Sequence, residues 1–139
     1  MNVTLSEIMK APVLTITRHE TAGHAAEMMR THHVSALPVV GPESAPLGMV
    51  TASDLLASHA EATPISNLMS DKPLTVPGSE GPHVAARIMR NHHIHHVMVT
   101  DGNRVVGMVS AYDLLQLVED HRFQMKQAPT PPKKRSNRR

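Results

Sequence analysis

Apolar residues along this chain change their spacing in the same order in two places. In TAGHAAEMMRTHH, from Thr21 to His33, Ala and Met return every three or four residues, which lines one face of a helix. Two short runs of strand-forming residues follow, ALPVV from Ala36 and PLGMV from Pro46, and a further helix is expected to start near Ser53-Asp54. The same succession returns as GPHVAARIMRNHH from Gly81, then HVMVT and RVVGMV, then a helix near Tyr112-Asp113. Asp101-Gly102-Asn103 carries the turn residues of a β-hairpin between the last two runs. Upstream of each block, VLTI and PLTV read as short strands. Each is preceded by a helix start: Thr4 with Glu7 forms a capping box, and Thr63 caps a turn opened by Pro64. The predicted order is β-α-β-β-α, twice, each copy led by a short helix.

The two blocks are copies. AAEMMRTHHVSALPVV begins at Ala25 and AARIMRNHHIHHVMVT at Ala85, an offset of 60, and SEIMKAPVLTI meets SNLMSDKPLTV at the same offset. GMVTASDLL from Gly48 matches GMVSAYDLL from Gly107 at 59, one residue having been lost in the loop between. A three-stranded unit with helices on one face cannot bury both surfaces alone, so the copies are expected to pack as a pseudo-symmetric pair. The fold class is α/β (α+β), with one repeat over 1–60, a second over 61–121 and a tail over 122–139.

Charge separates the tail from the body. Up to residue 121 there are seven Lys and Arg against twelve Asp and Glu, a net −5; from Arg122 onward there are seven Lys and Arg and no acid, a net +7. That tail, RFQMKQAPTPPKKRSNRR, holds three prolines and little to bury, so disorder is expected. It reads as a solubilising extension or as a basic arm for nucleic acid or anionic lipid. With one Tyr, one Phe and no Trp, the core must be built from aliphatic residues, Ala and ten Met. The lack of Cys removes disulfides, thiolate metal sites and cysteine nucleophiles. MNVTLSEIMKAPV has no signal-peptide pattern, and no run approaches the ~20 apolar residues of a membrane span, so a cytoplasmic protein is expected.

Four of the five residues 92–96 are histidine. His93 and His95 would share a face of a strand, His92 and His96 a face of a helix, and either spacing suits a transition metal. No carboxylate or thiolate obviously completes such a site, which makes phosphate contact or plain polar surface the competing readings. His32-His33 and His92-His93 recur at helix ends, where the helix dipole favours partial positive charge.

The order of elements, HVSALPVV and the repeated Gly-hydrophobic-Val-Thr/Ser-x-x-Asp-Leu-Leu resemble the cystathionine β-synthase (CBS) domain pair, or Bateman module, over residues 4–121. Such pairs serve as regulatory parts of IMP dehydrogenase, the AMP-activated protein kinase, chloride channels and magnesium transporters, and hold adenosyl ligands in clefts between the repeats. The resemblance implies that Thr51 and Asp54 in one copy, and Ser110 and Asp113 in the other, bind nucleotide. Asp would accept from the vicinal hydroxyls of a ribose, and Thr or Ser would offer a hydroxyl to phosphate or sugar beside free backbone N–H groups. Alternatively the same residues cap the helix that follows. The family segment Ile-His-Arg-Leu aligns with Ile94-His95-His96-Val97, so His95 and His96 are implied phosphate contacts, His96 replacing an arginine. Copy one has Val34-Ser35-Ala36-Leu37 there, so the clefts should be chemically unequal. A weaker cation asks for a ligand with fewer phosphates, with AMP the foremost candidate over ADP and ATP.

No nucleophile elbow, P-loop, zinc-protease helix or dinucleotide fingerprint is present, so catalysis is not expected and no cofactor is required. The implied function is an adenosyl-nucleotide sensor whose output passes to an effector protein or to the tail. The alternatives are a basic-tailed interaction protein with vestigial clefts, acting on nucleic acid or membrane, and a histidine-cluster metal-binding protein through His93 and His95. Met28, Met29, Met89, Leu114 and Leu115 offer more apolar helix surface than one sheet pair needs, and family members pair through their helices, so a homodimer is expected.

Overall fold

A computed structural model describes residues 3–56 and 60–126, with side chains described up to Asp120. The helices are α1 Leu5–Ile8, α2 Ala22–His32, α3 Ala52–Leu56, α4 Pro82–His92 and α5 Ala111–Lys126; the strands are β1 Ala36–Val40, β2 Pro46–Thr51, β3 Thr75–Pro77, β4 His96–Asp101 and β5 Arg104–Ser110. β1 and β2 pair antiparallel, as do β4 and β5, and β3 adds to β4 in parallel. Both antiparallel pairs shift register at the equivalent place, Val39/Val40 and Val99/Thr100, so even the irregularities repeat.

Local chemistry explains most of the boundaries. Glu7 Oε2 accepts from the Thr4 N–H at 3.3 Å, the reach-back half of the expected capping box. Thr21 Oγ1 accepts from the His24 N–H at 3.2 Å and opens α2, whereas α4 starts with Pro82 behind Gly81. Helices α2 and α4 end the same way. His33 and His93 adopt left-handed conformations, φ 56° and 54°, and the N–H of the residue after each returns to the carbonyl of Met29 or Met89. This closure is commonly left to glycine; here a histidine adopts it in both copies. In the hairpin, Gly102 takes φ 64°, as the turn residues imply.

Three expectations need correction. VLTI forms no strand of its own: its end, Ile16, makes an isolated parallel bridge to Val39, where the second copy has the three residues of β3. The turn after Thr63 is a 3-10 segment, Ile65–Asn67, and Pro64 is its cap rather than its first residue. The last helix does not stop where the acidic body ends but continues through Lys126, while the rest of the expected disordered tail lies outside the described residues.

The repeats interlock by exchanging their openings. Leu5, from the start of copy one, is fully buried with Val76, Ala85, Met89, Val97, Val99 and Val109 of copy two. Ile65, its counterpart at the start of copy two, is fully buried with Ile16, Ala25, Met29, Leu37, Val39 and Val50 of copy one. A third cluster, Val40, Met98 and Val105, fills the seam between the copies. The crossing segments make isolated antiparallel bridges, Lys10 to Met108 and Ser70 to Met49. Each crossing passes directly over the glycine of a GMV motif. A Cβ on Gly48 would collide with the Ser70 carbonyl, and one on Gly107 with Met9 Sδ and, at 3.0 Å, with the Lys10 carbonyl. The repeated glycine is thus required by close approach of backbone.

Candidate functional site

The exchange creates two clefts built to one plan, each with walls from both repeats. The first, about 610 Å³, is lined by Lys10, Pro12, His32 to Ala36 and Met108, then by Ser110 to Asp113. The second, about 620 Å³, takes the matching positions: Ser70, Lys72, His92 to His96 and Met49, then Thr51 to Asp54. His95 and His96 line both, as does Ser35, so the clefts meet along a shared wall.

At the floor of each cleft a strand runs without a loop into a helix, β2 into α3 and β5 into α5. The Ser/Thr-x-x-Asp motif spans that junction. Asp54 Oδ2 accepts from the Thr51 N–H at 2.8 Å and from the Thr51 hydroxyl at 3.1 Å, while Thr51 Oγ1 accepts from the Asp54 N–H at 3.3 Å. Asp113 Oδ2 likewise accepts from the Ser110 N–H at 2.9 Å, and Ser110 Oγ from the Asp113 N–H at 3.0 Å. The capping role considered for these residues is therefore real in both copies, and it uses one carboxylate oxygen of each Asp. The other oxygen differs: Asp113 Oδ1 meets Lys10 Nζ at 3.3 Å, whereas Asp54 Oδ1 has no hydrogen-bond partner among the described residues.

The six residues singled out from the sequence all line these clefts: Thr51 and Asp54 the second, Ser110 and Asp113 the first, His95 and His96 both. His95 is exposed at the entry to β4, and its carbonyl accepts from the Ala111 N–H at 2.8 Å, just as Ser35 serves Ala52 at 2.8 Å in the other copy. His96 is half-buried. Burial holds its pKa below the ordinary imidazole value, the neighbouring His95 lowers it further, and Asp113 opposes both. The neutral form of His96 is thus favoured in the free protein. His93 and His95, the metal candidates, are both exposed, and among the described residues no three His, Asp or Glu side chains converge as a metal-binding group.

Lys10 and Lys72 also line the clefts and were not picked out from the sequence. Their signal lies in a mismatch between otherwise matching copies. Position 10 is Lys where position 70 is Ser, and position 12 is Pro where position 72 is Lys.

The CBS domain family model matches residues 5–61 and again 65–120. This chain belongs to the CBS domain family. It carries the domain twice, as a tandem pair. Among curated relatives it is 29% identical over 123 residues to a homoserine O-acetyltransferase of Methanosalsum zhilinae, covering 87% of this chain but 25% of that protein. The chain thus spans about a quarter of that relative's length, and the likeness falls on its CBS part. It is 28% identical over 124 residues to hypoxic response protein 1 of Mycobacterium tuberculosis, covering 85% of this chain and 87% of that one. Among solved structures, the CBS domain pair of protein MJ0100 in complex with 5′-methylthioadenosine and S-adenosyl-L-methionine superposes with a TM-score of 0.80 at 25% identity, over 87% of this chain and 99% of that one. The CBS protein PAE2072 of Pyrobaculum aerophilum, complexed with AMP, gives 0.76 at 25% identity, over 84% and 99%. Hypoxic response protein I with two coordinated zinc ions gives 0.73 at 28% identity, over 82% and 98%. No helix among the described residues is long and apolar enough to cross a membrane.

Proposed function

We propose that this CBS pair is a regulatory module that binds an adenosyl nucleotide, AMP foremost, between its repeats and passes occupancy to a partner protein. The observation that carries this reading is the doubled strand-to-helix junction. Each cleft has at its floor an Asp held by its own Ser or Thr and, across from it, the histidine-bearing entry to β4. Asp accepts from ribose hydroxyls, and imidazoles meet phosphate charge. That two similar pairs hold 5′-methylthioadenosine with S-adenosyl-L-methionine, and AMP, supports the same ligand class here.

A thermal-shift panel of AMP, ADP, ATP, NAD, S-adenosylmethionine, cyclic dinucleotides and zinc tests it. A ligand at ~100 times its Kd adds about 2.7 kcal/mol to stability, so AMP is expected to raise Tm by several degrees. No shift with any adenosyl compound, alongside a shift with zinc, would give the site to the metal. Deleting residues 127–139 should leave the AMP shift unchanged; its loss would favour the basic-tail reading.

We also propose a homodimer, on grounds narrower than the sequence offered. Met29 and Met89 are buried, and Met28 and Leu114 pack against the cores. Leu115 alone of the five expected residues is exposed, at 63%, and it is joined on α5 by Tyr112 and Val118 and on α3 by Leu56. Light scattering should return twice the 15.2 kDa chain mass at micromolar concentration; a 15.2 kDa particle contradicts the dimer.

A further inference from the structure

The two clefts depart from their common plan at the residues that decide how their carboxylates are used. In the first, both oxygens of Asp113 are engaged within the protein, Oδ2 by the Ser110 N–H and Oδ1 by the Lys10 ammonium. Asp113 is 8% exposed, and Lys10 Nζ meets the oxygen that the Ser110 cap leaves over. The Lys10 backbone is anchored there too, donating to the Met108 carbonyl at 2.9 Å and accepting from the Met108 N–H at 3.2 Å. In the second cleft the equivalent residue is Ser70, whose hydroxyl turns away to the Met49 carbonyl at 3.4 Å. Asp54 Oδ1 is left without a partner among the described residues, and Lys72, two residues on from Ser70, lines the same cleft without an ion pair among them. The first cleft therefore holds a carboxylate and a cation that cancel each other. The second holds a free acceptor and a separate, exposed cation.

We infer that the clefts divide their work: the nucleotide enters the cleft of Asp54 and Lys72, with Lys72 as its phosphate anchor, and Lys10 keeps Asp113 from accepting a second ribose. This rests on the nucleotide reading above. A nucleoside monophosphate needs an acceptor for its vicinal hydroxyls and positive charge at a distance from that acceptor. Asp54 Oδ1 supplies the first, and Lys72 the second, with His95 and His96 lining the same cleft as further partners for the phosphate. In the first cleft a ribose must displace an ammonium to reach Asp113, and among the described residues lining that cleft the displaced lysine has no second carboxylate. Lys10 is 76% exposed, so its pair with Asp113 weakens the first cleft without sealing it.

Titration calorimetry of the full chain with AMP tests this, with adenosine as the phosphate-free control. The wild type should bind one AMP per chain. Lys72→Ala should weaken AMP about tenfold and leave adenosine unchanged, the size of one charge-assisted contact. Asp54→Asn, which keeps an acceptor for the Thr51 N–H, should remove the wild-type site. Lys10→Ser, the residue found at the equivalent position, should add a second site, and Asp113→Asn in that background should take it away again. Lys10 and Lys72 are exposed, so their variants remain folded and readable even if an Asn variant is not. Two equivalent sites in the wild type, a single site that survives Asp54→Asn, or a Lys10→Ser chain that still binds one AMP would each overturn the division of work. No heat with AMP in either wild type or Lys10→Ser would take down the nucleotide reading itself, and the division with it.

Discussion

Leu5→Ala is expected to destabilise the protein by about 2–5 kcal/mol, and Ile65→Ala by a similar amount. Both side chains are fully buried, yet neither belongs to the core of its own repeat. Leu5 plugs the second repeat and Ile65 the first, so emptying either site opens a cavity in one half by changing the other. The consequence is cooperative loss. Urea unfolding followed by far-UV circular dichroism should stay a single transition in both variants, moved to lower denaturant with an unchanged slope. If the repeats were independent lobes, Leu5→Ala would instead split the transition, one half melting early and the other at the wild-type midpoint.

Nucleotide affinity should rise about tenfold as pH falls from 8 towards 6. The sign follows from His96, whose pKa in the free protein lies below the ordinary value because it is buried beside His95. A ligand phosphate facing it favours the charged imidazole, so binding takes up a proton, and affinity climbs as pH falls through the raised pKa of the complex. The climb ends near pH 6, where the phosphate of the ligand itself begins to protonate. Without ligand the trend reverses. The unfolded chain charges His96 near pH 6.5 and the folded chain only below that, so apo stability declines as pH drops below 6.5. Melting curves with and without AMP should therefore diverge towards acid pH. Adenosine should show little of this, and the double variant His95→Ala with His96→Ala should flatten it, whereas changing His32 and His33, which line the other cleft, should leave it in place. Zinc binding would run the opposite way, because protons compete with a metal for imidazole.

The duplication makes much of this molecule legible in its sequence. Two copies of one helix-strand-strand-helix pattern fix the element order, and the GMV…Asp motifs mark both strand-to-helix junctions. What periodicity does not carry is which copy an element serves. Leu5 and Ile65 read as the starts of their own repeats, and only the fold shows them exchanged. The same blindness hid Lys10. It lies 103 residues from Asp113, and aligning the copies sets it beside Ser70 rather than against the carboxylate it meets. VLTI misled for a related reason: strand-forming residues need a partner edge, and only Ile16 reaches one. The histidines had opposite fortunes. Their place at helix ends was readable, but the left-handed caps at His33 and His93 were not, because glycine or asparagine is the usual signal there.

The most direct test of the central claim is a titration of isotope-labelled protein with AMP, followed amide by amide. The account predicts saturable shifts at Thr51, Ala52, Ser53 and Asp54, with His92 to His96 moving at the same ligand concentrations. Shifts confined to the basic tail, or none at millimolar AMP, would contradict it.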